Sequence, residues 1–71
     1  MKLPRDVSGA ETLKALGRLG FLVTKQTGSH VRLTRGALRV TVPMHRNLVA
    51  GTLQSILRQA GVSLEDFLKV L

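Results

Sequence analysis

The residues best suited to chemistry lie in residues 27–33, which read TGSHVRL. Gly28 and Ser29 are typical of a tight turn, and the next strand is predicted to begin at His30. The valine and leucine that follow alternate with the histidine and with Arg32, and a period of two is typical of a strand with one buried face. The pattern predicts an imidazole beside a guanidinium on the open side of a sheet.

This chain lacks the residues that most other kinds of catalysis require. His30 and His45 are the only two imidazoles, and the chain has no cysteine to act as a nucleophile or thiolate ligand. The four acidic residues lie near the ends of the chain, whereas two-metal nucleases need clustered carboxylates. No phosphate-binding glycine loop or dinucleotide fingerprint is present. Ser29 beside His30 lacks the acid that orients a serine triad.

Acid–base catalysis by histidine in a cationic setting is the chemistry that remains. RNA carries its own nucleophile, the 2′-hydroxyl, so its cleavage needs one base, one acid and cations that stabilise the phosphorane. Histidine suits either proton transfer because an unperturbed imidazole titrates near neutrality, and each such group contributes about 10² to 10⁴-fold in rate. Arg32 and Arg39 are candidates for clamping the phosphate. DNA should not be cut by this route.

Each of these residues also has a plainer interpretation. An exposed histidine beside a turn is most often a polar surface residue, and Gly28 and Ser29 are ordinary turn residues. His45 is equally well read as a loop residue, and strand arginines can form a solvated face that protects a sheet from aggregation.

The charge of the chain indicates an anionic partner. Eleven Lys and Arg face four Asp and Glu, for a net charge of +7. Every charged side chain between Thr12 and Leu64 is basic, which favours nucleic acid, although a solubilising surface or an acidic protein partner fits the same charge. With two Phe and no Trp or Tyr, shape and phosphate contacts should dominate over base stacking.

The length predicts one small domain over residues 1–71. No apolar run is long enough to span a bilayer, and the first residues lack the apolar region of a secretory signal. A soluble, cytoplasmic protein is therefore expected.

The order of predicted elements is helix, three strands, helix and short helix. After an irregular lead-in, Pro4 to Val7, a capping box at Ser8 and Glu11 predicts a first helix. The helices are predicted over residues 9–19, 48–60 and 64–71, and the strands over residues 21–26, 30–34 and 38–42. Gly20 and Gly61 are predicted to cap the first and second helices, and Ser63 to begin the third. Pro43 should end the third strand.

These elements predict an α+β two-layer sandwich, with an antiparallel meander whose apolar face is covered by helices. On the first helix, Leu13 and Leu16 should form the buried stripe, with Ala10 and Leu19 near it. The residues expected to face the core from the sheet are Phe21, Val23, Val31, Leu33, Leu38, Val40 and Val42. The residues expected on the open face are Thr24, Gln26, His30, Arg32, Thr34, Arg39 and Thr41.

The chain resembles the HicA toxins, small mRNA endonucleases of HicAB toxin–antitoxin systems, over nearly its whole length. The resemblance is carried by four segments: RLGF at residues 18–21, TGSH at residues 27–30, VPMH at residues 42–45 and GTLQSILRQAG at residues 51–61. It implies an α-β-β-β-α, double-stranded-RNA-binding-like fold. It also implies metal-independent and ribosome-independent cleavage of mRNA, with the histidine of the Gly-Ser-His motif, His30, as the catalytic residue.

The resemblance further implies a HicB-type antitoxin that covers the catalytic face, and a bacterial or archaeal cytoplasm. No cofactor, metal or membrane is expected. Arg46 is the only basic residue at the start of the second long helix, so single-stranded or loop RNA fits better than a duplex. The residues predicted to bind RNA are Lys25, Gly28, Ser29, Arg32, Arg35, Arg39, His45 and Arg46. A non-catalytic RNA-binding module and a domain that binds only an acidic protein are the alternative functions.

Overall fold

The computed structural model describes residues 7–71, and the predicted order of elements is confirmed. Most of the expected lead-in, Pro4 to Val7, lies outside the described residues. The elements are α1 (Gly9–Arg18), β1 (Leu22–Thr27), β2 (His30–Arg35), β3 (Leu38–Pro43), α2 (Ala50–Ala60) and α3 (Leu64–Val70). This α-β-β-β-α arrangement with a short terminal helix agrees with a double-stranded-RNA-binding-like fold. Within the described part of the chain, no helix is both long and apolar enough to cross a membrane.

Local capping signals place the helix ends. The Ser8 hydroxyl accepts the Glu11 backbone N–H at 3.0 Å, and the Glu11 carboxylate accepts the Ser8 backbone N–H at 3.1 Å, which confirms the capping box. Gly20 and Gly61 take φ of 97° and 67°, the left-handed conformation expected after a helix. The Ser63 hydroxyl accepts the Asp66 backbone N–H at 3.1 Å and begins α3.

The buried face of α1 differs from the predicted stripe. Leu16 is buried as expected, but Leu13 is half-buried and Ala10 is exposed. Thr12 takes part in the buried face instead, because its hydroxyl donates to the Ser8 carbonyl at 2.9 Å and so needs no water. A threonine with a satisfied hydroxyl behaves as an apolar residue, which an apolar pattern alone does not reveal.

The three strands form the expected antiparallel meander in the order β1-β2-β3. On one face, Val31 lies opposite Val42 and Leu33 opposite Val40, and all four are buried. Both α1 and α2 pack on this face, mainly against β3, and α3 packs against α1. The helix residues that close the core include Leu16, Leu53, Ile56 and Phe67. We call this covered side the helix face, and the other side the open face.

Strand β1 contains a β-bulge that the alternation does not predict. Val23 pairs with Leu33 and Lys25 pairs with Arg32, so Thr24 is an extra residue with no partner on β2. The extra residue reverses the alternation beyond it. Residues opposite each other share a face, so Lys25 lies on the open face, and Gln26, opposite Val31, lies on the helix face. The prediction that Gln26 points to the open face is therefore wrong.

Two apolar residues predicted to be in the core are exposed. Val23 lies on the helix face but is 57% exposed, because the helices pack over β3 rather than over β1. Leu38, at the first position of β3, is 37% exposed. Helix α2 begins at Ala50 and not at Leu48, whose backbone N–H instead donates to the Val7 carbonyl at 2.8 Å. These differences all arise from tertiary packing.

Candidate nucleic-acid interface

A small pocket lies on the open face where the β1–β2 hairpin meets β3. It is lined by Lys25, Thr27, His30, Arg32 and Thr41 and has a volume of about 100 Å³. Pockets that enclose drug-sized ligands have volumes of roughly 300–1,000 Å³. This pocket is therefore large enough for a single chemical group, such as a phosphate, and too small for a drug-sized ligand.

The pairing of strands explains how these side chains meet. Thr27 pairs with His30 across the hairpin turn, and His30 pairs on its other side with Pro43. One step along the open face, Arg32 lies between Lys25 on β1 and Thr41 on β3. The bulge is essential to this arrangement, because it turns Lys25 and Thr27 toward the face that carries the histidine.

Gly28 and Ser29 form the turn immediately before His30. Gly28 has φ of 57°, and hairpin turns of two residues require a positive φ at the first of them. A Cβ at Gly28 would meet no atom within 4 Å, so glycine is needed for its conformation and not for lack of space. The Ser29 carbonyl accepts the Met44 backbone N–H at 2.6 Å, which ties the turn to the loop after β3.

The loop of residues 44–47 is also held from the helix side. The Gly9 backbone N–H, at the start of α1, donates to the His45 carbonyl at 2.9 Å. A Cβ on Gly9 would lie 2.3 Å from the Pro43 carbonyl oxygen and 2.8 Å from the Met44 Cα, so only glycine permits this approach. The start of this loop, at Met44 and His45, is therefore held from two sides, by the hairpin turn and by the first turn of α1.

The pocket is cationic and has no acidic neighbour on its strands. Among residues 7–71 the single ion pair joins Lys69 to Asp66, 3.9 Å apart on α3. The pocket cations Lys25 and Arg32 thus have no carboxylate partner in the described part of the chain. Their positive charge is therefore available to an anionic ligand, because the pocket is open to solvent.

Three other residues that were predicted to bind RNA lie outside this pocket. Arg39 is on the open face opposite Thr34, and it is exposed without lining the pocket. His45 and Arg46 are exposed in the loop after Pro43, the residue that pairs with His30. All three residues thus lie on β3 or in the loop that follows it, outside the pocket.

Arg35 is not brought to the pocket. It pairs with Leu38, which places it on the helix face. Its guanidinium donates to the Leu19 carbonyl at 2.7 Å and lies 5.6 Å from the centre of the Phe21 ring. These contacts give Arg35 a role in holding the end of α1 against the sheet.

Three residues of this region were not identified as site residues from the sequence. Thr27 and Thr41 add hydroxyl groups to the pocket, and Gly9 positions the neighbouring loop. Thr27 could have been found, because a turn of two residues at 28–29 must pair residue 27 with His30. The role of Gly9 depends on a contact between distant segments and has no signal in the local sequence.

The arrangement suits general acid–base chemistry on a phosphodiester. An imidazole can carry a proton, and an ammonium and a guanidinium can hold the anionic oxygens. Within residues 7–71, no three histidine or carboxylate side chains converge in a way that could hold a metal ion.

A protein-family model matches most of the chain. Residues 9–62, well over half of the chain, match the family model described as the HicA toxin of bacterial toxin-antitoxin. The match includes the whole of the pocket and the turn at Gly28 and Ser29. Among curated proteins, none matches the sequence.

Proposed function

Because the chain belongs to the HicA toxin family, and is thus a toxin of a toxin–antitoxin system, we propose that it is an endoribonuclease that cleaves mRNA. The proposed enzyme is one domain over residues 1–71 that acts in the cytoplasm. The observation that supports it best is the pocket, in which His30 shares an open cationic surface with Lys25 and Arg32.

The proposed reaction uses the nucleophile of RNA itself. The 2′-oxygen forms a bond to phosphorus, the bond from phosphorus to the 5′-oxygen breaks, and the products are a 2′,3′-cyclic phosphate and a free 5′-hydroxyl. One proton leaves the 2′-hydroxyl and one is delivered to the 5′-oxygen. His30 carries one of these two protons as general base or general acid, a role that suits an imidazole near neutral pH.

The remaining pocket residues bind the phosphate in this proposal. Lys25 and Arg32 hold its non-bridging oxygens, where negative charge increases in the transition state. Thr27 and Thr41 donate hydrogen bonds from opposite sides of the pocket.

Residues around the pocket extend the proposed binding surface along the RNA strand. Arg39, His45 and Arg46 contact adjacent phosphates, and Gly28 and Ser29 allow the RNA backbone to approach the hairpin turn. Arg35 is left out of this surface because its guanidinium is engaged on the helix face. Single-stranded RNA is the proposed substrate, since a shallow surface of this size suits an unpaired strand.

The test compares purified parent protein with the His30→Ala variant on an RNA oligonucleotide in the presence of EDTA. The expected loss of cleavage is about 10²-fold or more, the contribution of a positioned acid or base. Circular dichroism should be unchanged because His30 is exposed, and RNA binding should persist because Lys25 and Arg32 still hold the phosphate. His45→Ala is the comparison variant: it removes the other imidazole from outside the pocket, so it loses only a phosphate contact and should reduce cleavage much less than His30→Ala does.

The products distinguish the proposed mechanism from its alternatives. Mass spectrometry should find a 2′,3′-cyclic phosphate, and a substrate with a 2′-deoxy sugar at the cleavage position should remain intact. Cleavage by His30→Ala at the parent rate would contradict the catalytic role, and complete loss of activity in EDTA would indicate a metal. Binding without fragments from the parent would indicate a non-catalytic RNA-binding module.

The family also implies an antitoxin partner for this chain. In our proposal this partner is a HicB-type antitoxin that covers the open face and so keeps RNA from His30. The net charge of +7 supports an acidic surface on that partner.

A further inference from the structure

Strand β1 is exposed along its whole length. Every residue from Leu22 to Thr27 is exposed, including Leu22 at 72% and Val23 at 57%. In the described part of the chain β1 pairs with β2 alone, so its other edge presents backbone N–H and C=O groups without strand partners. Such an edge can accept a further strand.

The opposite edge of the sheet is protected. On β3 the Thr41 backbone N–H donates to the Gln59 side chain at 3.3 Å, and Pro43 has no N–H to offer. Helices α1 and α2 pack against the same strand. The β3 edge is therefore closed by a side chain of α2 and by a proline, whereas among residues 7–71 the bulge at Thr24 and the charge of Lys25 are what limit strand addition at β1.

In the middle of β1, the residues on the two faces differ in chemical character. Val23 lies on the helix face, beside the buried Leu33, and extends the apolar core surface to the edge of the sheet. Lys25 lies on the open face and lines the pocket with His30. A strand added to this edge would bury Val23 under apolar side chains, and its alternate side chains would face Lys25.

The positive charge of this chain favours an acidic strand as the partner of the β1 edge. A second copy of this chain would bring another net charge of +7 to the interface and another Lys25 to the middle of the pairing. Like charges placed opposite each other destabilise strand pairs, and opposite charges stabilise them. The favoured strand has acidic residues toward Lys25 and apolar residues toward Val23.

We infer that the edge of β1 is a docking site for an extended acidic segment of a protein partner, which pairs with residues 22–27 by β-strand addition. Its acidic side chains would lie beside Lys25 and occupy the cationic surface that would otherwise bind the RNA phosphate. For the regulation of cleavage the inference rests on the proposed function, because the segment would then act as an inhibitor of RNA binding at the pocket.

The test uses the antitoxin of the same toxin–antitoxin pair, purified separately, and two valine variants. Val23→Glu places a negative charge at the proposed interface, and Val49→Glu is the matched control at a valine that is 69% exposed outside the sheet. Calorimetric titration should show at least tenfold weaker antitoxin binding for Val23→Glu and a change below twofold for Val49→Glu. Circular dichroism should be that of the parent for both variants, because each substituted side chain is exposed.

Hydrogen exchange of the parent provides a second measurement that needs no variant. The β1 amides that point away from β2 should exchange at least tenfold more slowly in the antitoxin complex than in the free toxin, whereas those already bonded to β2 serve as an internal control. Parent-like antitoxin binding by Val23→Glu, or unchanged exchange in β1 on binding, would overturn the inference. A free toxin that sediments as a dimer with protected β1 amides would overturn it as well, since a second copy would occupy the edge.

Binding and exchange are independent of RNA cleavage, so the two proposals can fail separately. Val23→Glu alone should cleave RNA at the parent rate, because Val23 lies on the helix face and not in the pocket. A parent protein without ribonuclease activity would contradict the proposed function and leave the docking measurements valid.

Discussion

The two faces of β2 have different roles: one packs in the core, and the other carries the residues proposed to act on RNA. Val31 and Leu33 are 3% and 1% exposed in the core, whereas His30 and Arg32 are exposed on the open face. Burial of the first pair contributes to folding, and exposure of the second pair leaves its charge and its protons available. Stability and the proposed chemistry are thus carried by alternate positions of one strand.

The loop after β3 connects these two faces. It is bonded to the hairpin turn beside His30 through Ser29, and to the first turn of α1 through Gly9. Substitutions on one face should leave the other face unchanged. The exception is a change in the packing of α1, which this loop would transmit to the surroundings of the pocket.

The largest expected effect on the helix face comes from Leu33→Ala. Removing a buried leucine side chain costs about 2–5 kcal/mol of unfolding free energy, a large share of the roughly 4–11 kcal/mol expected for a domain of this length. Arg32→Ala, at the adjacent exposed position, should change the unfolding free energy by no more than about 0.5 kcal/mol. Urea denaturation followed by circular dichroism measures both, and equal losses would contradict the division between faces.

Two arginines of β2 should behave differently, because Arg32 lies on the open face and Arg35 on the helix face. Arg32→Ala loses a charge-assisted hydrogen bond to the phosphate, which contributes about 1.5–3 kcal/mol. RNA cleavage should therefore fall about tenfold to a hundredfold. Arg35→Ala should leave cleavage intact and lower the unfolding free energy by about 1 kcal/mol, since it loses the bond to the Leu19 carbonyl. Cleavage rates at a fixed salt concentration separate the two, and a greater loss for Arg35→Ala would reverse their assignment.

Two glycines of α1 test the connection between the faces. Gly9→Ala forces a Cβ against the Pro43 carbonyl and should cost about 1–3 kcal/mol of unfolding free energy, with reduced RNA cleavage as the loop moves. Gly17→Ala, where a Cβ meets no atom within 4 Å, should instead stabilise the protein by about 0.5–1 kcal/mol. Thermal unfolding gives both values. A Gly9→Ala protein as stable and as active as the parent would contradict the proposed role of this contact.

The smallest expected effect concerns the protected edge of β3. Gln59→Ala removes the acceptor of the Thr41 backbone N–H and should lower the unfolding free energy by about 0.5–1.5 kcal/mol, with faster exchange of that amide. Gln54→Ala, at an exposed position of the same helix, is the control and should have little effect. Unchanged exchange at Thr41 would show that the side chain does not protect this edge.

Local patterns determined the elements of this fold and much of the proposed site. The Ser8 and Glu11 capping box, the glycines after α1 and α2, and the alternation of β2 and β3 each depend on residues a few positions apart. Such spacings specify which backbone groups are capped and which side chains share a face, so the element order and the exposure of His30 follow from them.

Tertiary structure alone decided what lies beside His30. The bulge at Thr24 reverses the alternation of β1 and brings Lys25 and Thr27 to the pocket, which no period-two pattern can specify because one inserted residue changes every later position. The exposure of Val23 depends on where the helices lie. The need for glycine at position 9 depends on a carbonyl more than thirty residues away in the chain. Contacts of this kind are made only when distant segments pack together.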